Sequence, residues 1–308
     1  MPVTISFWII FHLGVLIALA VDLFTDRGRE RISLRSAIWR SLFWIALSLS
    51  FNAFVWWWQG ADQSIDFITG YLIEYSLSVD NIFVFGIIFA YFKVPPRFEH
   101  RVLVWGILGA LIMRATLIWL GVELVSRFHF VLYLFGIFLL ITGLRMMFGK
   151  SEEVDLDHNF VLRTVRRLVR VTSEYHGPKF IAVVGGRRML TPLALVLIVI
   201  ETMDLVFAVD SIPAVLAITR DTFIVYTSNI CAILGLRSLY FLLANLVTRF
   251  VYLRIGLAII LCFVGLKMLV EPWIHLPSWL SLIIIISILI LTAVVSLLAT
   301  RKDAAHAD

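Results

Sequence analysis

The chain has 308 residues, 61% of them hydrophobic and only 15% charged, with a formal net charge of +5 and a mean hydropathy of +0.98. A soluble globular domain carries roughly a quarter of its residues as charges, so this balance excludes one and predicts a multi-pass membrane protein; a nucleic-acid partner is not expected. The only two cysteines, Cys231 and Cys262, lie in apolar stretches, and neither their count nor their spacing suggests a disulfide framework or a zinc site.

Nine apolar segments of about bilayer-spanning length follow one another: Ile5–Thr25, Ala37–Trp58, Phe67–Phe92, Val102–Val122, Phe128–Phe148, Thr191–Ile218, Phe223–Val247, Tyr252–Val270 and Trp279–Thr300. The short alternating segments of a membrane β-barrel are missing. Ala18-Leu19-Ala20 looks like a secretory cleavage site, but no basic region precedes the segment, so it is read as a first membrane helix. His12 within it reads as a packed, hydrogen-bonded histidine rather than a proton relay. Trp56, Trp57 and Trp58 suit an interfacial belt at the end of the second span.

Basic loops are retained in the cytosol. Arg27, Arg29, Arg31, Arg35 and Arg40 fill the first loop, Gln59–Asp66 has no Lys or Arg, Lys93, Arg97 and Arg101 fill the third, and the fourth holds only Arg127. The long fifth loop carries eight basic residues from Lys150 to Arg188, and the alternation continues through Arg220, then Arg249 with Arg254, and finally Arg301 with Lys302. An outside N-terminus and a cytosolic C-terminus follow.

The third and sixth segments each hold an acidic cluster: EYSLSVDN, with Glu74, Asp80 and Asn81, and ETMDLVFAVDS, with Glu201, Asp204, Asp210 and Ser211. Ionisable groups at that depth are costly and mark functional sites by default. Their surroundings are duplicated. Asp80-Asn81-Ile82 matches Asp210-Ser211-Ile212, Glu74 matches Asp204, Arg114 matches Arg237, VSRF at Val125–Phe128 matches VTRF at Val247–Phe250, and GLRMM at Gly143–Met147 matches GLKML at Gly265–Leu269. Because each unit has three spans, the copies enter the membrane from opposite sides. Such inverted repeats bring equivalent motifs together at a central interface in many secondary transporters.

On a regular helix Glu201 and Asp204 project within about 60° of each other while Asp210 points away. Pro213 removes a backbone hydrogen bond to Val209, which predicts an unwound stretch over Val209–Ile212 and, by symmetry, a break near Asn81 in the first copy. Carboxylate, amide, hydroxyl and carbonyl oxygens suit Mn²⁺, Ca²⁺ or Mg²⁺, whereas Cu⁺ and Zn²⁺ prefer the Cys or His donors that both motifs lack. Arg114 and Arg237 each need a carboxylate or carbonyl partner at mid-membrane. Five acids against two arginines leave a formal −3, which one divalent ion would bring to −1; in an empty site protons could take the ion's place. The alternative is that these residues are polar glue between helices and bind nothing.

Other features point elsewhere. Gly143 to Ser151 resembles a phosphate-binding loop but has five intervening residues instead of four and ends a helix, so ATP binding is not expected. Phe160–Val171 is amphipathic, with Val161, Val165, Leu168 and Val169 opposite Arg163, Arg166, Arg167 and Arg170, and should lie on the anionic inner leaflet. KFIAVVGGRRML reads as a hairpin around Gly185-Gly186. The acidic run from Glu152 to His158 reads as a solvated loop.

The pairing of GYLIEYSLSVDNIFVF with LVLIVIETMDLVFAVDSIPA, together with the nine-span layout, resembles the TerC family of bacterial integral membrane proteins and its Alx-like members, from about Phe11 to Leu298. The resemblance implies membership of the lysine-exporter-like superfamily and, for several members, export of manganese. It maps the family's acidic residues onto Glu74, Asp80, Glu201, Asp204 and Asp210. Other members are associated with tellurite resistance or with supplying metal to exported enzymes.

The expected protein is therefore an all-α membrane protein of about nine spans in a bacterial inner membrane. Residues 1–60 hold two N-terminal spans, 61–148 the first repeat, 149–190 a cytosolic loop, 191–270 the inverted second repeat, and 271–308 the last span and tail. Its expected role is export of a hard divalent cation, Mn²⁺ first and Ca²⁺ as alternative, with the metal as cargo and no cofactor. The metal set is Glu74, Asp80, Asn81, Glu201, Asp204, Asp210 and Ser211, with Arg114 and Arg237 as counter-charges. Rival readings are a membrane partner that supplies metal to exported proteins and an intramembrane aspartyl hydrolase. The latter's usual Gly-x-Gly-Asp context is missing. Nothing in the sequence fixes the oligomeric state.

Overall fold

The computed structural model describes residues 5–25, 34–148, 160–172, 174–243 and 252–306. The helices are α1 (Ile5–Thr25), α2 (Leu34–Gln59), α3 (Ala61–Tyr91), α4 (Pro96–Arg127), α5 (Phe130–Phe148), the short α6 (Phe160–Leu168), α7 (Pro192–Leu216), α8 (Thr222–Leu234), α9 (Leu236–Leu243), α10 (Leu253–Val270) and α11 (Ser278–His306). Among the described residues, eight spans are long and apolar enough to cross a membrane, α8 and α9 forming one of them, and Ile5–Val21 is a shorter apolar helix. This is the all-α, multi-pass architecture expected from the composition.

The helix ends follow local chemistry. Gly60 takes φ 105°, a region open to glycine, and separates α2 from α3. As a result α3 begins at Ala61, and Asp66, assigned above to a loop, stands inside the helix. Proline opens both α4 and α7, where its missing N–H costs nothing. Asp221 caps α8 by accepting from the Phe223 and Ile224 amides at 2.8 and 3.2 Å.

At the centre lies α8, every residue of which from Phe223 to Leu234 is buried, wrapped by α3, α4 and α2. The peripheral helices instead expose large apolar side chains: Ile9 and Ile17 on α1, Trp39 on α2, Ile283 and Leu291 on α11. A surface of that kind is stable against lipid tails, not water. His12 on α1 is tied inward, its ring nitrogens lying 2.7 Å from the Trp8 carbonyl oxygen and 2.8 Å from the Tyr226 hydroxyl. The hydrogen bonds expected of it are present, while the residue itself is exposed rather than packed.

Among the described residues, α5 and α10 cross with their backbones in close approach. A Cβ added to Gly143 would lie 2.8 Å from the Ala258 carbonyl oxygen and 3.0 Å from the Cys262 nitrogen; one added to Gly265 would lie 2.7 Å from the Gly136 carbonyl and 2.9 Å from the Leu140 nitrogen. Small residues allow such backbone approach between membrane helices. Gly143 thus packs a helix crossing, and nothing about it calls for a phosphate.

Two expectations about backbone breaks are overturned. Helix α7 runs without interruption through Pro213 to Leu216, and α3 is continuous past Asn81. Pro213 falls in the last turn of α7, and its own carbonyl still accepts from the Ala217 amide at 3.0 Å, so losing one hydrogen bond there does not unwind the chain. The interruption occurs at Gly235, between α8 and α9.

Between α5 and α7 the hairpin is as expected: β1 (Ile181–Val184) pairs antiparallel with β2 (Arg187–Leu190), and Gly185 and Gly186 both take positive φ, 58° and 75°, as a tight two-residue turn demands. Leu162 and Val165 of α6 face the protein, Leu162 being buried and α6 contacting α7, while Arg163 and Arg167 are exposed. Part of the apolar stripe assigned to the lipid surface is therefore spent on α7. The Tyr175 hydroxyl donates to the Phe92 carbonyl at 2.8 Å, and burial raises its pKa above the ordinary tyrosine value. The acidic run from Glu152 to His158 lies outside the described residues.

Candidate functional site

Arg114 stands in the middle of α4 with no exposure at all. An unpaired guanidinium there would be prohibitive, and the structure supplies three partners from three other helices. Its Nε and Nη2 donate to the two oxygens of Asp204 on α7 at 3.1 and 2.9 Å. Its Nη1 donates to Glu74 on α3 and, at 3.1 Å, to the Asn229 side-chain oxygen on α8. Asn229 closes the ring by donating to the other Glu74 oxygen at 2.7 Å, and Ser78 approaches Glu74 at 3.4 Å. The fork on Asp204 uses the planar geometry that only arginine offers.

One acid from each motif thus meets at a single buried point, with a guanidinium between them. The formal charge of Glu74, Asp204 and Arg114 together is −1. Glu201, one turn before Asp204, lies alongside; its Oε2 is buried and makes no hydrogen bond. A Cβ at Gly109 would overlap the Glu201 carboxylate, so glycine at that position is what lets the acid sit against α4. Glu201 and Asp204 border a cavity of about 20 Å³ whose other walls include Gly106, Ala110 and Ile233, room for about one water.

The remaining candidates are distributed differently. Asp210 is half-buried and hydrogen-bonds Thr142 on α5, away from Arg114. Asn81 and Ser211 are buried, and the Ser211 hydroxyl makes no hydrogen bond. The side chains of Asp80 and Arg237 lie outside the described set. Among the described residues no three His, Cys, Asp or Glu side chains form a group that could hold a metal ion; Glu74 and Asp204 converge on a cation that belongs to the protein.

Three participants escaped the sequence reading. Asn229 sits in Thr227-Ser228-Asn229, a polar run inside an apolar span that could have flagged it. Lys267, used above only to align the repeats, is buried on α10 and interacts electrostatically with Asp66, which hydrogen-bonds Ser278 and Thr219. Glu99 accepts a 3.2 Å hydrogen bond from Tyr240 on α9.

A multi-pass helical bundle with paired intramembrane acids defines the class of protein, and the comparisons define the family. Residues 59–304 match the integral membrane protein TerC family, and the chain belongs to it. It is 44% identical to a Myxococcus xanthus membrane protein, STKORF319, over 96% of this chain and 92% of that one. It is also 44% identical to the Escherichia coli K12 protein named "Putative membrane-bound redox modulator Alx", over 94% of this chain and 93% of that one, and 40% identical to a Rickettsia bellii membrane protein over 92% and 94%. No solved structure matches.

Proposed function

We propose that this protein is a secondary transporter that exports a hard divalent cation, Mn²⁺ before Ca²⁺, from the cytosol across a bacterial inner membrane. The observation that carries the reading is the convergence of Glu74 and Asp204, one from each motif, on Arg114, beside the unpartnered Glu201 oxygen and its cavity. In this reading Arg114 is a tethered stand-in for the cargo: it compensates the acids when the site is empty, and an arriving ion must draw at least one carboxylate away from it. All donors on offer are oxygens, which favour Mn²⁺, Ca²⁺ or Mg²⁺ over Cu⁺.

The inverted-repeat reading has its own support. Under the offset that aligns Gly143 with Gly265, Ala258 corresponds to Gly136 and Cys262 to Leu140. Gly143 meets Ala258 and Cys262, and Gly265 meets Gly136 and Leu140. Reciprocal contacts of that kind are what a two-fold axis between the copies produces. The loop charges orient the N-terminus outward and the C-terminus to the cytosol.

The redox designation of the Alx relatives finds little thiol chemistry to work with: both cysteines are free and Cys231 is buried. A redox effect would then follow from cytosolic metal levels. An intramembrane hydrolase, in which two aspartates share a proton, is disfavoured by the guanidinium that binds both oxygens of Asp204. A metal-supplying partner protein predicts copurification with secretion components and no flux by the protein alone.

The deciding experiment is reconstitution into liposomes with a divalent-sensitive dye. Mn²⁺ flux is expected, and it should be lost in Asp80→Asn, Asp210→Asn and Glu201→Gln. Bound metal must displace protons from carboxylates, so apparent affinity should rise with pH. Unchanged flux in all three variants would remove the motifs from the mechanism, and a pH-independent affinity would leave a voltage-driven uniporter.

A further inference from the structure

The cavity beside Glu201 is walled on α3 by Phe85, on α4 by Leu103 and on α9 by Leu236. One helical turn beyond each of these, toward the face at which α3 ends and α4 begins, stand Phe89, Glu99 and Tyr240. Tyr240 touches the other two. Tyr240 donates to the Glu99 carboxylate at 3.2 Å, and its ring meets Phe89 edge-on, with centroids 5.5 Å apart and planes at 76°. Phe89 and Tyr240 are buried. Leu103, Gly106, Ile107 and Ala110 line the cavity between Glu99 and Arg114 at helical spacing, so one face of α4 leads from Glu99 to the salt bridge.

We infer that Phe89, Glu99 and Tyr240 form the gate between this cavity and the cytosol, with Glu99 the carboxylate that a cation meets first when the gate opens. The inference rests on the transport reading and the orientation proposed above. A hydrogen bond from a neutral phenol to a carboxylate is strong enough to hold the ring in place one turn beyond the cavity wall at Leu236. It is also easily exchanged, because an approaching cation offers Glu99 a better partner than Tyr240 does. Release of Tyr240 then frees the ring from Phe89 and uncovers the route along Leu103 to Glu201. The cavity is also walled by Asp204, which is held by Arg114, so the gate and the salt bridge are chemically different and can open separately.

The test reads access rather than flux. In full-length protein with Cys231 and Cys262 replaced by alanine, a single cysteine is placed at Ala110, and a small membrane-impermeant thiosulfonate is applied to either face of oriented vesicles. Labelling from the cytosolic face should be slow in the parent and about tenfold faster in Tyr240→Phe, which keeps the ring but loses a hydrogen bond to a charged group. It should be faster still in Phe89→Ala. Labelling from the outer face should not change, nor should Glu123→Gln, which alters an exposed ion pair with Arg127 at the far end of α4, accelerate either. If neither Tyr240→Phe nor Phe89→Ala speeds cytosolic labelling, or if both speed it equally from the two faces, the gate is wrong. Because no metal is needed, a protein that fails to transport can still pass this test, and one that transports can still fail it.

Discussion

The two three-span segments that match in sequence, read above as copies of one repeat, differ in local structure. In the first, α4 runs unbroken for 32 residues and carries Arg114 at its centre; in the second, the matching span stops at Gly235, two residues before Arg237, and resumes as α9. Arg114 engages carboxylates from both motifs, Glu74 of its own copy and Asp204 of the other. The two aligned segments therefore hold matching residues without matching duties. One copy supplies the rigid arm that holds the charges, and the other supplies the span with a glycine interruption, on which Tyr240 rides.

The largest effect that would test this division is at the arginines. Arg114→Gln leaves Glu74 and Asp204 buried without their counter-charge, which should cost about 3–5 kcal/mol and show as a collapse of thermal stability in detergent. Arg237→Gln should cost clearly less, since both carboxylates keep Arg114; equal losses would mean that the copies share the duty after all. Next in size are Gly143→Ala and Gly265→Ala. Each pushes a methyl group into a facing backbone, and each should cost about 1–3 kcal/mol in the same melting assay. Their near-equality is the point, because a pseudo-two-fold crossing requires it and an accidental one does not.

Smaller, and on transport rather than folding, is Gly109→Ala. The added methyl displaces the Glu201 carboxylate from α4, so Mn²⁺ flux should fall while melting shifts by no more than about 1–3 kcal/mol. Retained flux would mean that Glu201 does not need that seat. The smallest effect should come from Pro213→Ala. With α7 already helical through this position, the change should leave flux near the parent value and stability within about 1 kcal/mol; loss of flux would revive an unwound working state.

Much of the fold was legible because a bilayer imposes length and apolarity on every span, and an intramembrane charge must have a partner. That requirement alone predicted that Arg114 would find a motif carboxylate or a backbone carbonyl. Which acids it found was not legible, since the meeting of α3, α4, α7 and α8 depends on packing between segments far apart in sequence. The Glu99–Tyr240 pair was hidden for the same reason. Pro213 misled because its consequence depends on distance from the helix end, here a single turn. Gly235, in contrast, carries no local sign that distinguishes it from Gly143, which sits within an unbroken helix.

The crossing of α5 and α10 has a mechanical meaning. Where the backbones approach this closely across glycine, few side chains are left whose rotamer changes could let the helices slip by small increments. The pair must move as a single piece. If the two halves of this protein rock against each other, that crossing is a pivot whose position stays fixed while the ends swing, and the distance each mouth opens is set by its lever arm from Gly143 and Gly265.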